Sequence, residues 1–545
     1  MSFTEDGNSD ADISDSFVTD AEDSENEINR PGNLINGPWF TIIEPNSFFI
    51  DRLPSFSPDH GPVGFDANLS PYDYFEKFIS EDDNSLFDII VEETNRYATL
   101  NANDPTPQGR GNNWKPVSKQ ELSAFFGLLL AMGIVRKPSY ASYWGNGNKN
   151  ALTYTPNFPQ IMSRNRFQEI LRFLHCNDNA LAVERGQAGY DPLHKVANII
   201  EFFNRTFEEN YRLSQNVCID ERMIGFKGRH FLKQYIANKK AHRWGVKAWV
   251  LAESGTGYTH QLELYKGKSN APRHPDGQGY KVVTDLMRPH FGNQHHVTID
   301  SWFTSPKLVH DLRNRGTYCT GTVITTRKGM PQSFRKAKLP KGTILAKSQG
   351  PVMSVLYSDR RQVSLLTTAG SAKMTRKPNS KGKVVKAPAL VHKYNETMGG
   401  VDLGDQFIAQ YEPQFRSLKL WKKILFNLLM TATVNAYICY RNTFVVQKKM
   451  DHLTFQQEII QGLIGQHREG QTRPGRRCLL QSTRLTARHF IEWIPNKRRM
   501  RCAVCSGKEN RFSGTRIRTW CPDCGVGLCV GRCFKHFHTL QIYEE

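Results

Sequence analysis

Long hydrophobic runs are missing from this chain. The most apolar stretch, AFFGLLLAMGIV from Ala124 to Val135, has only twelve residues, well short of the roughly 20 that a membrane-spanning helix needs. No membrane partner is therefore expected. An apolar leader is missing too: residues 1–30 carry ten Asp/Glu against one Arg, the wrong composition for a secretory signal, and an intracellular protein is expected. Cysteine is sparse before residue 502, with Cys176, Cys218, Cys319, Cys439 and Cys478 scattered and the other six of eleven gathered between Cys502 and Cys533. A disulfide framework would not crowd its cysteines at one end of a long chain, so the five scattered thiols read as reduced residues. Acid is nearly absent from residues 327–393, where Asp359 stands alone against sixteen Lys/Arg.

What is present is positive charge. The formal net charge is +20, and residues 1–30 contribute −9, so the other 515 residues carry +29. A basic body of this kind neutralises phosphates and releases their counterions, which points to nucleic acid. At 545 residues the chain exceeds what one core usually organises, and two to four domains are expected.

The composition divides the chain. Residues 1–68 are acidic and then proline-containing, and are expected to be disordered. Residues 69–213 are helical in pattern: Ser118 with Glu121 forms a capping box ahead of the apolar run, and Phe167, Ile170, Leu171 and Leu174 repeat at helical spacing. Over 214–326 the period changes to strands at NVCIDE, GVKAWVLAE and THQLELY. A helix through Val282 and Leu286, the strand HHVTID, a helix through Leu308 and Leu312, and the strand CTGTVI follow. Three strands, a helix, a strand, a helix and a strand is the order of a ribonuclease-H-like α/β core, in which the first and fourth strands are neighbours. Residues 327–393 read as a basic, DNA-facing insertion, and 394–412 as a return to the core. Residues 413–490 continue the helical part, with Leu420, Ile424, Leu425, Leu428 and Leu429 as a buried stripe, and 491–545 form a basic segment and a Cys/His module.

Three aspartates carry the chemistry. Asp220 in VCIDERMIGFKGR and Asp300 in VTIDSWFTS end apolar runs, while Asp402 in MGGVDLGDQ opens a helix that also carries Asp405. Three carboxylates at one edge of a sheet repel one another and favour hard divalent cations; two such ions about 3.5–4 Å apart can activate an oxygen nucleophile and stabilise the leaving oxygen in phosphodiester chemistry. A two-metal Mg²⁺ site, with Mn²⁺ as a substitute, is the cofactor expected.

At the other end, Cys502-x2-Cys505, Cys521-x2-Cys524, Cys529-x3-Cys533 and His536-x-His538 supply eight ligands in 37 residues, enough for two tetrahedral structural zinc sites. A cross-brace is expected, the first and third pairs sharing one ion and the second and fourth the other. The ligand order fits neither the RING nor the PHD pattern. Just before it, Lys497, Arg498, Arg499 and Arg501 form a basic stretch that reads as a nuclear localisation signal or a DNA-contacting strap.

The phrases IDERMIGFKGR, TIDSWFTS and YNETMGGVDLGDQ, with MSRNRFQEILRFLH upstream and the C-terminal Cys/His cluster, resemble the piggyBac family of DDE/D transposases over about residues 69–545. The resemblance implies a nuclear cut-and-paste transposase, working as a dimer on double-stranded DNA. It would nick transposon terminal inverted repeats, form hairpins through the freed 3′-hydroxyl and rejoin at TTAA targets. On the matching positions Asp220, Asp300 and Asp402 would be the metal-binding triad and Asp405 a further acidic catalytic residue. The helical parts would serve dimerisation and DNA binding. Trp421 resembles a family tryptophan that handles DNA at the cut end, with a core aromatic of a long helix as the alternative. Ser301 stands where the family more often has Asn, and YIANKKAHRWG lacks the prolines common in that loop. The second expectation for function is a domesticated, transposase-derived protein that binds DNA or chromatin without cutting it.

Overall fold

The computed structural model describes residues 37–540 apart from 82–84, 102–113, 146–152, 238–241, 268–273, 379–381, 383, 414–416, 444–449, 466, 468–487, 496–497 and 506–515. The acidic N-terminal segment, Cys478 and Lys497 lie outside these residues. The chain divides into two compact units, Met1–His467 and Arg468–Glu545.

The first unit is built on a ten-stranded sheet of β1 (Phe40–Thr41), β3 (Asn216–Gly225), β4 (Gln234–Tyr235), β5 (Trp244–Glu253), β6 (Thr259–Leu264), β7 (His296–Ile299), β8 (Tyr318–Thr322), β9 (Ile344–Gln349), β10 (Val352–Ser358) and β11 (Gln362–Thr367). Strand order is β1-β9-β10-β11-β8-β7-β3-β5-β4, with β6 also on β5. At its centre β3 and β7 run parallel, as do β7 and β8, while β5 and β6 are antiparallel to their neighbours. The first and fourth strands of the expected core are thus neighbours. Away from this sheet, β2 (Phe49–Asp51) pairs with β12 (Gly370–Ser371).

The basic segment is not a separate module. Its strands β9, β10 and β11 continue the same sheet beyond β8, because Val352, Met353, Val355, Leu356, Leu365 and Leu366 are apolar and fully buried. Lys336, Lys341, Arg360 and Arg361 are exposed at the helix and turns between the strands. The charge count alone hid the short buried runs that make these residues strands, all seven positions of β10 being buried.

Helices cover both faces. Those of six or more residues described in the first unit are α1 (Pro71–Glu76), α2 (Leu86–Leu100), α3 (Lys119–Ile134), α4 (Arg164–Phe173), α5 (Ala197–Glu209), α6 (Gln278–Met287), α7 (Pro306–Asn314), α8 (Ala389–Thr397), α9 (Gly400–Gln410), α10 (Leu420–Thr443) and α11 (His452–Ile464). Period two splits β3 between two cores: Val217 and Ile219 face α6 and α7, whereas Cys218 and Ile224 join the large helical core of α1 to α5 and α10. Sequence-distant α3 and α10 therefore share one core with a single sheet face. Among the described residues no helix is long and apolar enough to cross a membrane.

The expected capping box of α3 forms only in half. Ser118 Oγ accepts from Glu121 N at 3.2 Å. The Glu121 carboxylate is drawn instead into a two-pronged, buried pair with Arg166 of α4, at 2.7 and 2.8 Å, where both a charge and two hydrogen bonds are satisfied.

Candidate catalytic site and metal-ligand clusters

Parallel register places the first two aspartates side by side. Ile219 of β3 is the partner of Ile299 of β7, so Asp220 and Asp300, each one residue further on, leave adjacent strands on the same face. Asp220 accepts from the Glu221 backbone N–H at 2.8 Å and Asp300 from that of Trp302 at 2.9 Å. Burial, followed by the nearby Glu221 carboxylate, pushes the Asp300 carboxyl above its ordinary value, against the N–H of Trp302 and the charge of Lys247. The Tyr394 hydroxyl on α8 lies in the field of both Asp300 and Asp220, so the two carboxylates address one space.

Helix α9 carries the third aspartate of the expected triad. A side chain at Gly400 would sit 2.7 Å from Cys218 Sγ and 2.6 Å from the Glu253 carbonyl, and one at Gly404 would sit 2.8 Å from the Gly257 carbonyl. These glycines, four apart on one helix face, let α9 lie directly on the sheet. At the position after Gly404, Asp405 Oδ1 accepts from Arg222 Nε at 2.5 Å. Between the contacts at Cys218 and Arg222 the helix runs along β3; Asp402, in its first turn, is exposed and, two residues from each of the sheet-facing glycines, lies roughly 200° round the helix from them. The helix N-terminus adds a positive end next to that carboxylate.

Asp405 is committed differently. Arg222 is only 2% exposed and also donates to Thr259 Oγ1 at 2.9 Å and Thr431 Oγ1 at 3.3 Å. The structure makes Asp405 the counter-ion of this buried guanidinium, which locks α9 to β3. Trp421 is also placed: it is 9% exposed, 5.4 Å from the His175 ring in the helical core. That matches the core-aromatic alternative.

Sequence reasoning passed over a basic and aromatic edge. Between Glu221 and Glu253 there is no acid but eight Lys/Arg, and Phe231, Tyr235 and Trp244 are 52%, 48% and 41% exposed. Tyr235 and Trp244 lie 4.8 Å apart with Lys233 Nζ 5.0 Å from the Trp244 ring. Large aromatics in a cation-rich segment without a single acid were the signal available. Arg327, the first residue of the basic segment, donates to the Ser301 carbonyl at 2.6 Å and braces the loop after Asp300.

In the second unit two ligand groups form. Cys502, Cys505, Cys529 and Cys533 make one, and His489, Cys521, Cys524 and His538 the other, with all ligand atoms of each group within 4.8 Å of one another. The pairing is the expected cross-brace with one correction: His536 is outside the second group and His489 takes its place. Both His536 and His538 lie on α12 (Arg532–Thr539), and residues two apart on a helix point roughly 200° apart, so only one can face the cluster. His489 Nδ1 is 3.6 Å from Cys521 Sγ and 3.5 Å from Cys524 Sγ. It stands 32 residues before Cys521, outside any local ligand spacing. Arg498, Arg499 and Arg501 are exposed.

A family profile described as Transposase IS4 matches residues 70–437. The chain belongs to the piggyBac transposase family. Among curated relatives, this piggyBac-family chain is 25% identical to human PiggyBac transposable element-derived protein 3 over 499 residues, covering 87% of this chain and 77% of that one. It is 26% identical to human PiggyBac transposable element-derived protein 2 over 486 residues, covering 86% and 76%. A solved piggyBac transposase synaptic complex with hairpin DNA superposes with a TM-score of 0.67 at 22% identity, over 87% of this chain and 98% of that one. That likeness establishes a shared mixed α/β fold.

Proposed function

We propose that this chain is a DDE/D-type DNA transposase that cuts and rejoins phosphodiester bonds at transposon ends, with a ribonuclease-H-like core and a triad of Asp220, Asp300 and Asp402. The observation that carries it is the Ile219 to Ile299 register, which sets Asp220, within β3, beside Asp300, one residue past the end of β7; Asp402 is on α9, the helix seated on β3. Open α/β sheets hold their sites at such strand ends.

The donors fit a pair of hard divalent cations, Mg²⁺ or Mn²⁺. All are carboxylates, and burial, followed by the Glu221 carboxylate, pushes Asp300 upward, so a cation beside it would be favoured. When bound, the ions would activate the attacking oxygen and stabilise the departing one. The chain's own part is positional: Trp302 and Glu221 N–H groups orient two carboxylates, Arg222 and Asp405 fix the third, and Arg327 steadies the loop beside them.

Double-stranded DNA with terminal inverted repeats is the proposed substrate and TTAA the proposed target. The aromatic edge of Tyr235 and Trp244, whose own segment carries no acid, and the exposed Arg360 and Arg361 supply phosphate and base contacts. The soft ligand sets of the second unit fit two structural zinc ions. A homodimer is proposed because two ends must be held together, and a nuclear address from Lys497 to Arg501. The relatives named as transposable element-derived proteins keep the DNA-binding, non-cutting alternative in play, and one assay separates the two. Purified protein with transposon-end DNA and Mg²⁺ should cleave strands, and Asp220→Asn, Asp300→Asn or Asp402→Asn should abolish it. Binding without cleavage by the parent chain would assign the alternative.

A further inference from the structure

A cavity of about 470 Å³ opens on the α8 side of the sheet, within the roughly 300–1,000 Å³ of ordinary ligand sites. Its wall is mainly apolar, from Phe49, Leu53, Ala369, Ala389 and Leu390, while Arg52, Lys373 and Lys393 bring three cations. The one acid lining it, Asp51, is neutralised by Arg313 at 2.6 Å. Lys393 Nζ gives one bond to Asn216 Oδ1 at 2.7 Å. An ammonium has three donors, and burial already weakens the hold of Lys393 on its proton, so an anion beside it would be favoured.

His296, at the cavity floor, is 1% exposed. Its tautomer follows from the hydroxyls beyond it. Thr367 Oγ1 donates to the Ala369 carbonyl at 2.6 Å, so Thr320 must donate the 2.8 Å bond between the two threonines. The 2.8 Å contact from His296 Nε2 to Thr320 Oγ1 is then donated by the ring. Nδ1 is left as a bare acceptor with no partner among the described residues, a condition that costs free energy unless something supplies a donor.

We propose that this cavity binds a small organic anion with an apolar ring body and an N–H or O–H donor. The anionic group lies against Lys393 and Lys373, the rings against Leu390 and Leu53, and the donor against His296. Helix α8 links the cavity to the carboxylates, since Tyr394 follows Lys393 directly and lies in the field of Asp220 and Asp300. The binding itself does not depend on whether the chain cuts DNA.

The probe is 8-anilinonaphthalene-1-sulfonate, which has rings, one N–H and one sulfonate. Titrated into the full chain, it should bind one-to-one and saturably with a blue-shifted emission. Its neutral analogue lacking the sulfonate should bind at least tenfold more weakly. Lys393→Met should weaken the sulfonate probe at least tenfold, and Ala389→Phe, which fills the cavity, should abolish saturable binding. Because Ala389→Phe can fail to fold, Leu53→Trp at the wall is the second filling variant, and each is accepted only with parental circular dichroism and melting temperature. No saturable binding by the parent, or parental affinity in folded filling variants and Lys393→Met, overturns the proposal.

Discussion

Arg222 Nε lies 2.5 Å from Asp405 Oδ1, joining the strand that carries Asp220 to the helix that carries Asp402. Because Arg222 is buried, removing its counter-ion leaves an uncompensated charge. Asp405→Ala should cost roughly 3–5 kcal/mol, read as a lower urea midpoint at unchanged slope. An Arg222→Met, Asp405→Leu double variant should recover much of that loss. If Asp405→Ala leaves the midpoint in place, the pair is not a structural lock.

Gly400 tests whether the seating of α9 sets the site. A methyl group there would meet Cys218 Sγ and the Glu253 carbonyl below 3 Å, so Gly400→Ala must lift the helix. Overpacking costs about 1–3 kcal/mol, whereas strand cleavage should fall at least a hundredfold because Asp402 moves with the helix. Equal cleavage by a folded variant would separate α9 from the chemistry.

Metal content discriminates the histidines of the second unit. Zinc analysis of the full chain should give two ions, falling to one in His489→Ala and in His538→Ala. His536→Ala should keep both. Loss of an ion in His536→Ala alone would reverse the assignment.

Acid should destabilise the first unit. Burial holds His260 at about 3 and His290 at about 4, against an ordinary 6.5. Folded-state values below the unfolded one mean that the stabilisation is complete above about pH 6.5 and is lost as pH falls toward 4, since only the unfolded chain takes up the protons. Each ring contributes roughly 1.4 kcal/mol per pH unit in that window. In urea titrations at pH 7, 6 and 5, a folded His290→Gln should show a shallower pH slope by about one proton.

At the aromatic edge, Trp244→Ala and Tyr235→Ala should each weaken binding of single-stranded DNA by roughly 1–3 kcal/mol if bases stack there. Lys233→Ala should instead mainly reduce the salt dependence of binding. A gel-shift series across salt concentrations gives both readings.

The sequence alone determined whatever depends on local chemistry. Asp220 and Asp300 stand at the ends of apolar runs, Leu420, Ile424, Leu425, Leu428 and Leu429 of α10 recur at helical spacing, and CxxC pairs are close enough in the chain to share an ion. Each of these signals is complete within a dozen residues. Tertiary structure decided what depends on distant partners. Glu121 read as a cap until Arg166 of α4 claimed its carboxylate. Asp405 read as a fourth acid until folding set it against Arg222. His489 became a neighbour of Cys521 and Cys524 only in three dimensions, and the basic segment became sheet because β8 offered it an edge. Spacing records which residues can meet along the chain, and packing selects which of the remote ones do.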